Sequence, residues 1–244
     1  MAHALSNLNE QNCGALYLAS SLLCFCTLAA GPTGPNDLLV CITEDVRSTV
    51  CVPMIRGVRL IRQLFPLETL FAGLMAPMNI AVTLSTHWRP RWMEAGLPCL
   101  DWEEAVNNLR TLVMSHHADN DTSRVNALNQ LEGIYEALYG KKNGNVSIDP
   151  DPASRFVLTW LYRIDDKFIE NLQRRDSDNL LMLAHWAPLL SNYRDEWFFV
   201  GWTEQLVLAV RALLPEHLVA WMQWPLEAIG ILSPDAPSRE DGEE

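Results

Sequence analysis

The sequence predicts an all-α fold, a multi-helix orthogonal bundle with an aromatic-rich apolar core or pocket. Three observations predict it. Apolar residues recur at i, i+3 and i+4 in one segment after another, the period of a helix with one buried face. The 244 residues contain only 12 glycines, and the breaks between apolar segments fall at glycine or proline. Nine tryptophans accompany a composition that is 49% hydrophobic and 20% charged, enough to bury a core and too apolar for a disordered chain. About eight to ten helices of ordinary length fit this pattern.

The segments follow in order. Cys13 to Ala30 (CGALYLASSLLCFCTLAA) is the longest apolar run. A signal peptide would need a basic residue before it, and Glu10 stands there instead. A membrane span would need basic anchors and fewer hydroxyl and thiol groups. The run therefore reads as a buried helix from near Asn12 to Gly31-Pro32. GPTGPN (Gly31 to Asn36) is a turn. Leu38 to Val52 is ambiguous, with β-branched residues but no clean alternation. Met54 to Phe65 reads as a helix closed by Pro66, with Arg56, Arg59 and Arg62 on one solvated face. Leu67 to Leu74 forms a short helix, and Thr86 to Pro98 a loop broken by two prolines. Asp101 caps a helix to about His116, with Glu103 and Glu104 in its first turn. Adjacent His116 and His117 point about 100° apart, too far to share a metal, and mark a surface helix end.

Ser123 to Tyr139 carries Val125, Leu128, Leu131, Ile134, Tyr135 and Leu138 at helical spacing, with Gly140 at its C-terminus. Gly140 to Pro152 is a polar loop. Asp151-Pro152 starts a helix to about Leu172. Asp178 opens another, ending near Leu190. Asp195 or Glu196 opens a long one through Leu214, and Pro215 begins the last, ending at Trp224-Pro225. One helical domain thus spans residues 1–232, followed by a disordered acidic tail over 233–244.

Charge and cysteine content narrow the function. Lysine and arginine number 18 against 30 acids, a net charge of −12. Direct nucleic-acid contact needs a basic face, so none is expected from this chain. Cys13, Cys24, Cys26, Cys41, Cys51 and Cys99 contain no CxxC pair and read as buried reduced thiols. No nucleophile elbow, phosphate loop or dinucleotide fingerprint appears. Asp165, Asp166 and Glu170 resemble the aspartate-rich motif of terpene cyclases, which holds Mg²⁺ against a diphosphate. The second metal motif of such an enzyme is missing. The other reading is a solvated helix face.

The C-terminal third is the most informative. Trp186, Phe198, Phe199, Gly201, Trp202, Leu206, Trp221 and Trp224 are the candidate ligand-binding residues. Aromatic walls suit a large flat apolar ligand, although such stripes also simply pack. Gly201, between an aromatic turn and a helix, leaves room for a ligand, for close packing, or for helix-start geometry.

LAHWAPLL, WFFVGW and AWMQWPLEAIG (Ala220 to Gly230) resemble the C-terminal regulatory region of fungal zinc-cluster transcription factors, sterol uptake control proteins above all. NCGALYLASSLLCFCTLA from Asn12 and the Arg56-Gly57-Val58 element are also similar to that family, so the resemblance covers roughly residues 7 to 231. It implies an all-α regulatory domain, often a homodimer, that senses a sterol or similar lipid and controls transcription from nucleus and cytoplasm. It implies no catalytic residue and no cofactor. Zinc belongs to a DNA-binding module whose CxxC signature this chain lacks. The alternatives are a Mg²⁺-dependent isoprenoid enzyme using Asp165, Asp166 and Glu170, and a ligand-free protein-interaction domain.

Overall fold

The computed structural model describes residues 7–40, 51–73, 76, 101–116, 121–141, 157–193 and 196–231. They form α1 (Cys13–Ala29), α2 (Cys51–Leu64), α3 (Leu67–Leu70), α4 (Glu103–His116), α5 (Thr122–Tyr139), α6 (Leu158–Arg163), α7 (Asp166–Gln173), α8 (Ser177–Trp186), α9 (Trp202–Leu213) and α10 (Gln223–Ala228). Tighter 3-10 turns cover Ala187–Tyr193 and Glu216–Met222. The fold is all-α, and no strand occurs among the described residues. The Thr86–Pro98 loop, His117, the Asp151-Pro152 helix start and the acidic tail lie outside the described residues, as does most of the Gly140–Pro152 loop.

α1 begins after Asn12, whose side-chain oxygen accepts the Asn9 N–H at 2.9 Å. It ends at Gly31, which takes φ +74°. The expectation of a buried helix needs correction. α1 packs against α2 and α3, burying Cys13, Ser20, Cys24 and Leu28, while Leu22, Leu23 and Cys26 stay exposed. Among the described residues its exposed positions are Ala15, Ala19, Leu22, Leu23, Cys26 and Ala29. No helix among the described residues is long and apolar enough to cross a membrane.

The arginines of α2 are not a solvated face. Arg56 pairs with Asp166, and Arg62 Nη1 donates to the Phe65 carbonyl at 3.3 Å. Arg59 Nη1 donates to the carbonyls of Tyr162 (3.1 Å) and Ile164 (3.3 Å). These carbonyls end α6 and have no helical partner, so the guanidinium supplies the missing donor.

The C-terminal half breaks where local capping beats the apolar period. The single helix expected up to Leu172 divides at Ile164, which turns to ψ 146°. Asp165 then caps α7 by accepting the Phe168 N–H at 2.8 Å. α8 is capped by Asp176 rather than Asp178. It tightens into 3-10 geometry after Trp186, because Pro188 has no N–H to continue the ladder. α9 starts at Trp202 rather than Asp195 or Glu196, since Gly201 takes the left-handed φ +80°. Pro225 does not end the last helix. It sits in the first turn of α10, where its absent N–H costs nothing, and α10 runs on to Ala228.

One buried cation joins three helix starts. Arg124, in the first turn of α5, is 6% exposed. Its Nη1 meets Asp121 Oδ2, its Nη2 meets Asp176 Oδ1, and its Nε donates to Asn179 Oδ1, each at 3.0 Å. Asp121 caps α5 and Asp176 caps α8. Asn179 is fully buried and donates onward to the Phe168 carbonyl of α7 at 3.3 Å. The third start is Asp165, which also accepts from Ser123 Oγ at 2.6 Å. Arg175, in the left-handed region at φ +60°, lets the chain end α7 and begin α8 within one turn. The Asp176 N–H bonds Asn171 and the Arg175 N–H bonds Leu172, the paired bonds of a Schellman stop. Burial pushes the Asp121 carboxyl up, but Lys167, Arg124 and the Ser123 N–H outweigh it and hold it below its ordinary value.

Arg124→Ala leaves these acidic caps facing one another without their cation. Breaking a buried ion pair this way costs about 3 kcal/mol. For a chain of this size the melting temperature should fall by roughly 6–12 °C in a thermal unfolding scan.

Candidate functional site

The candidate residues other than the exposed Gly201 belong to, or pack against, one main apolar core, but they meet different partners within it. Trp186 is fully buried on α8. It stacks on Trp160 at 5.6 Å and donates its Nε1–H to the Val157 carbonyl at 3.0 Å. Trp224 stacks on the His185 ring at 5.5 Å, meets Tyr135 edge-on at 5.9 Å and donates to the Asp101 carbonyl at 2.7 Å. Trp221 is half-buried against the same core.

Phe198, Phe199, Gly201, Trp202 and Leu206 come together at the start of α9. Phe199, Trp202 and Leu206 are buried. Phe198 packs on Phe199 at 4.7 Å and on Phe25 of α1 at 4.8 Å. Trp202 donates its indole N–H to the Leu28 carbonyl at the end of α1, at 2.7 Å. Neighbouring Trp197 and Val200 are exposed. Gly201 adopts the helix-start geometry. A Cβ there would meet only Pro32 Cδ, at an ordinary 3.9 Å, so its conformation rather than crowding demands glycine.

Sequence reasoning left Leu38 to Val52 open and missed what its first part does. Leu38, Leu39 and Val40 are each 1% exposed, in a stretch that is not helical. They join the core cluster that holds Phe199, Trp202 and Leu206. The buried Asp37 carboxylate shapes this strap. It accepts from the Thr33 N–H (3.0 Å), the Thr33 hydroxyl (2.8 Å) and the Leu39 N–H (3.0 Å). Gln205 Nε2 of α9 donates to the Gly34 carbonyl at 2.8 Å, and Val52 N–H donates to the Leu39 carbonyl at 3.1 Å. Leu39 sits at φ +65°, a conformation that costs a residue with a Cβ about 1–2 kcal/mol. The run Asn36-Asp37 after a Gly-Pro turn was the available signal, since Asp folds its own following backbone.

His185 is the other buried polar group that no motif marked. Its Nδ1–H donates to the Leu181 carbonyl at 2.8 Å, and Tyr135 donates its hydroxyl to the His185 carbonyl at 2.5 Å. Burial lowers the His185 pKa to about 4, against a weaker raising effect of the Leu181 bond.

The carboxylates of the cyclase-like motif are engaged otherwise. Asp165 is a helix cap, Asp166 is exposed and pairs with Arg56, and Glu170 is exposed on α7. Among the described residues no three His, Cys, Asp or Glu side chains form a group that could hold a metal. His116 Nδ1 lies 2.9 Å from Asp178 Oδ1, which ties the end of α4 to α8.

No family model, curated protein or solved structure matches this chain.

Two outcomes follow from this geometry. Gly201→Ala should cost about 1–2 kcal/mol through backbone strain alone, read as a shifted denaturant midpoint with an unchanged slope. For His185, an unfolded chain takes up a proton near pH 6.5 that the folded chain refuses until about pH 4. Its contribution is therefore fully present above pH 6.5 and declines as pH falls towards 4, by up to about 3 kcal/mol. Stability curves of wild type and His185→Gln should differ in slope in that window and run parallel above it.

Proposed function

We propose that this chain is the regulatory domain of a fungal zinc-cluster-type transcription factor, sensing a sterol or similar lipid to control transcription by RNA polymerase II. The observation that carries the reading is where the three resembling segments fall. LAHWAPLL lies on α8 and its 3-10 extension, WFFVGW at the entry to α9, and AWMQWPLEAIG across the last 3-10 turn and α10. The three neighbouring segments thus contribute to one aromatic core. The indoles of Trp186, Trp202 and Trp224 have their N–H groups bonded to backbone carbonyls, so they line the core as apolar rings with no polar group left over.

In this reading the domain is not an enzyme. It takes no cofactor of its own, and zinc and DNA contact belong to a separate module. The ligand acts by binding one of two conformations more tightly and so shifting their populations. The protein works between cytoplasm and nucleus, as a homodimer. The outward face of α1 suits self-association. Ala15, Ala19, Leu22, Cys26 and Ala29 are exposed there, and α1 carries no charged residue. Two copies of a chain with net charge −12 meet with least repulsion on such a face.

The test is thermal unfolding of the 244-residue chain with ergosterol, related sterols, or prenyl diphosphates plus Mg²⁺, one at a time. A ligand bound only by the folded state adds about 2.7 kcal/mol at a hundredfold excess over Kd. Sterols alone should raise the melting temperature. A rise only with diphosphate and Mg²⁺ would refute the proposal.

A further inference from the structure

We infer that the strap Asp37–Val40 is a displaceable plug, occupying the place where an elongated, neutral, apolar molecule with a single hydroxyl binds. The inference deepens the sterol-sensor reading and rests on it for the class of ligand. Leu38, Leu39 and Val40 fill the core as completely as any helical residue, yet no helix holds them there. A core segment without its own hydrogen-bond ladder is the cheapest part of a core to open locally. Leu39 is moreover held at φ +65°, a conformation that release would relax.

The strap meets the core beside the candidate residues. Pro32 lies next to Gly201, Gly34 is bonded by Gln205, and Leu28, at the end of the helix that leads into the strap, accepts from Trp202. Withdrawal of the strap would vacate the volume of two leucine and one valine side chains beside an aromatic wall. If the turn over residues 33–36 that Asp37 holds moves with the strap, the Gln205 amide is freed from the Gly34 carbonyl as well. One polar group at the end of an apolar slot is the arrangement that orients a ligand with a single hydroxyl. A charged ligand is disfavoured, because the wall left behind, Phe199, Trp202 and Leu206, is apolar. Ligand and strap would then exclude one another, so occupancy is reported to the start of α2, where the Val52 N–H bonds the Leu39 carbonyl.

Amide hydrogen exchange on the full chain tests the plug without any ligand. The Leu39 and Val52 N–H groups should exchange at least tenfold faster than the central amides of α8 and α9. Exchange of all four sets at one rate, through global unfolding, would overturn the inference. Ergosterol binding supplies the second reading. Leu39→Gly keeps the backbone geometry and removes plug volume, so it should tighten ergosterol binding severalfold, whereas Leu206→Ala, in the wall, should weaken it. Weakening by Leu39→Gly would also overturn the inference. Fast local exchange at Leu39 with no ergosterol binding to either form would support the opening strap and refute the sterol reading.

Discussion

The Arg124 guanidinium is the constraint on which the C-terminal half depends. Each helix start in this region is capped by an aspartate, because a carboxylate satisfies the free N–H groups of the first turn. Bringing the starts of α5 and α8 together would place two anions side by side at low dielectric. Arg124 meets both, and its planar fork has enough donors left to hold Asn179, which reaches α7. The relative placement of α5, α7 and α8 is thus set by geometry-specific polar bonds. Apolar packing alone would tolerate sliding of one helix past another.

A second set of directional bonds extends this order through the aromatic core. Trp102, Trp160, Trp186, Trp202 and Trp224 each donate an indole N–H to a backbone carbonyl outside their own helix. A tryptophan used in this way fills a large volume and fixes a register at the same time. The bonds also remove the polar handle that would otherwise sit unpaired in the core, which costs more than the bond itself returns. The rings chosen as a ligand wall are therefore also the pins of the bundle. Trp202, whose pin reaches back to Leu28, is the one that couples this C-terminal core to the N-terminal helix.

Much of the fold was legible because it rests on period and punctuation. The helix of Ser123 to Tyr139 and its Gly140 stop follow from an unbroken apolar stripe and one left-handed residue. The division at Ile164 was not legible, since the stripe from Trp160 to Leu172 continues through it. Asp165 competes there as a cap, and its bond to Ser123 is 42 residues away in sequence. The same limit hid the arginines. At helical spacing Arg56, Arg59 and Arg62 look like a wet face, and only the arrival of α6 and α7 gives Arg56 and Arg59 their partners. That the candidate residues fall into sets with different partners was not legible, because those partners come from other elements. The strap was unreadable for a simpler reason. Three apolar residues have no period, and their burial depends on the elements that close over them.

The two halves of the core therefore differ in how they are held. Around α5, α7 and α8 every helix start is locked by bonds that cross between elements. Beside α9 the apolar volume is closed by a short non-helical strap, one strained leucine and a few side-chain bonds. A domain built this way cannot respond by loosening uniformly, because the Arg124 network and the tryptophan pins resist it. Under the inference drawn above, a response is concentrated in the non-helical stretch Asp37 to Val40 and the Gln205 contact. Confined opening of this kind makes a two-state element from an otherwise rigid bundle, and the coupling of Trp202 to Leu28 gives that element a direct connection to α1.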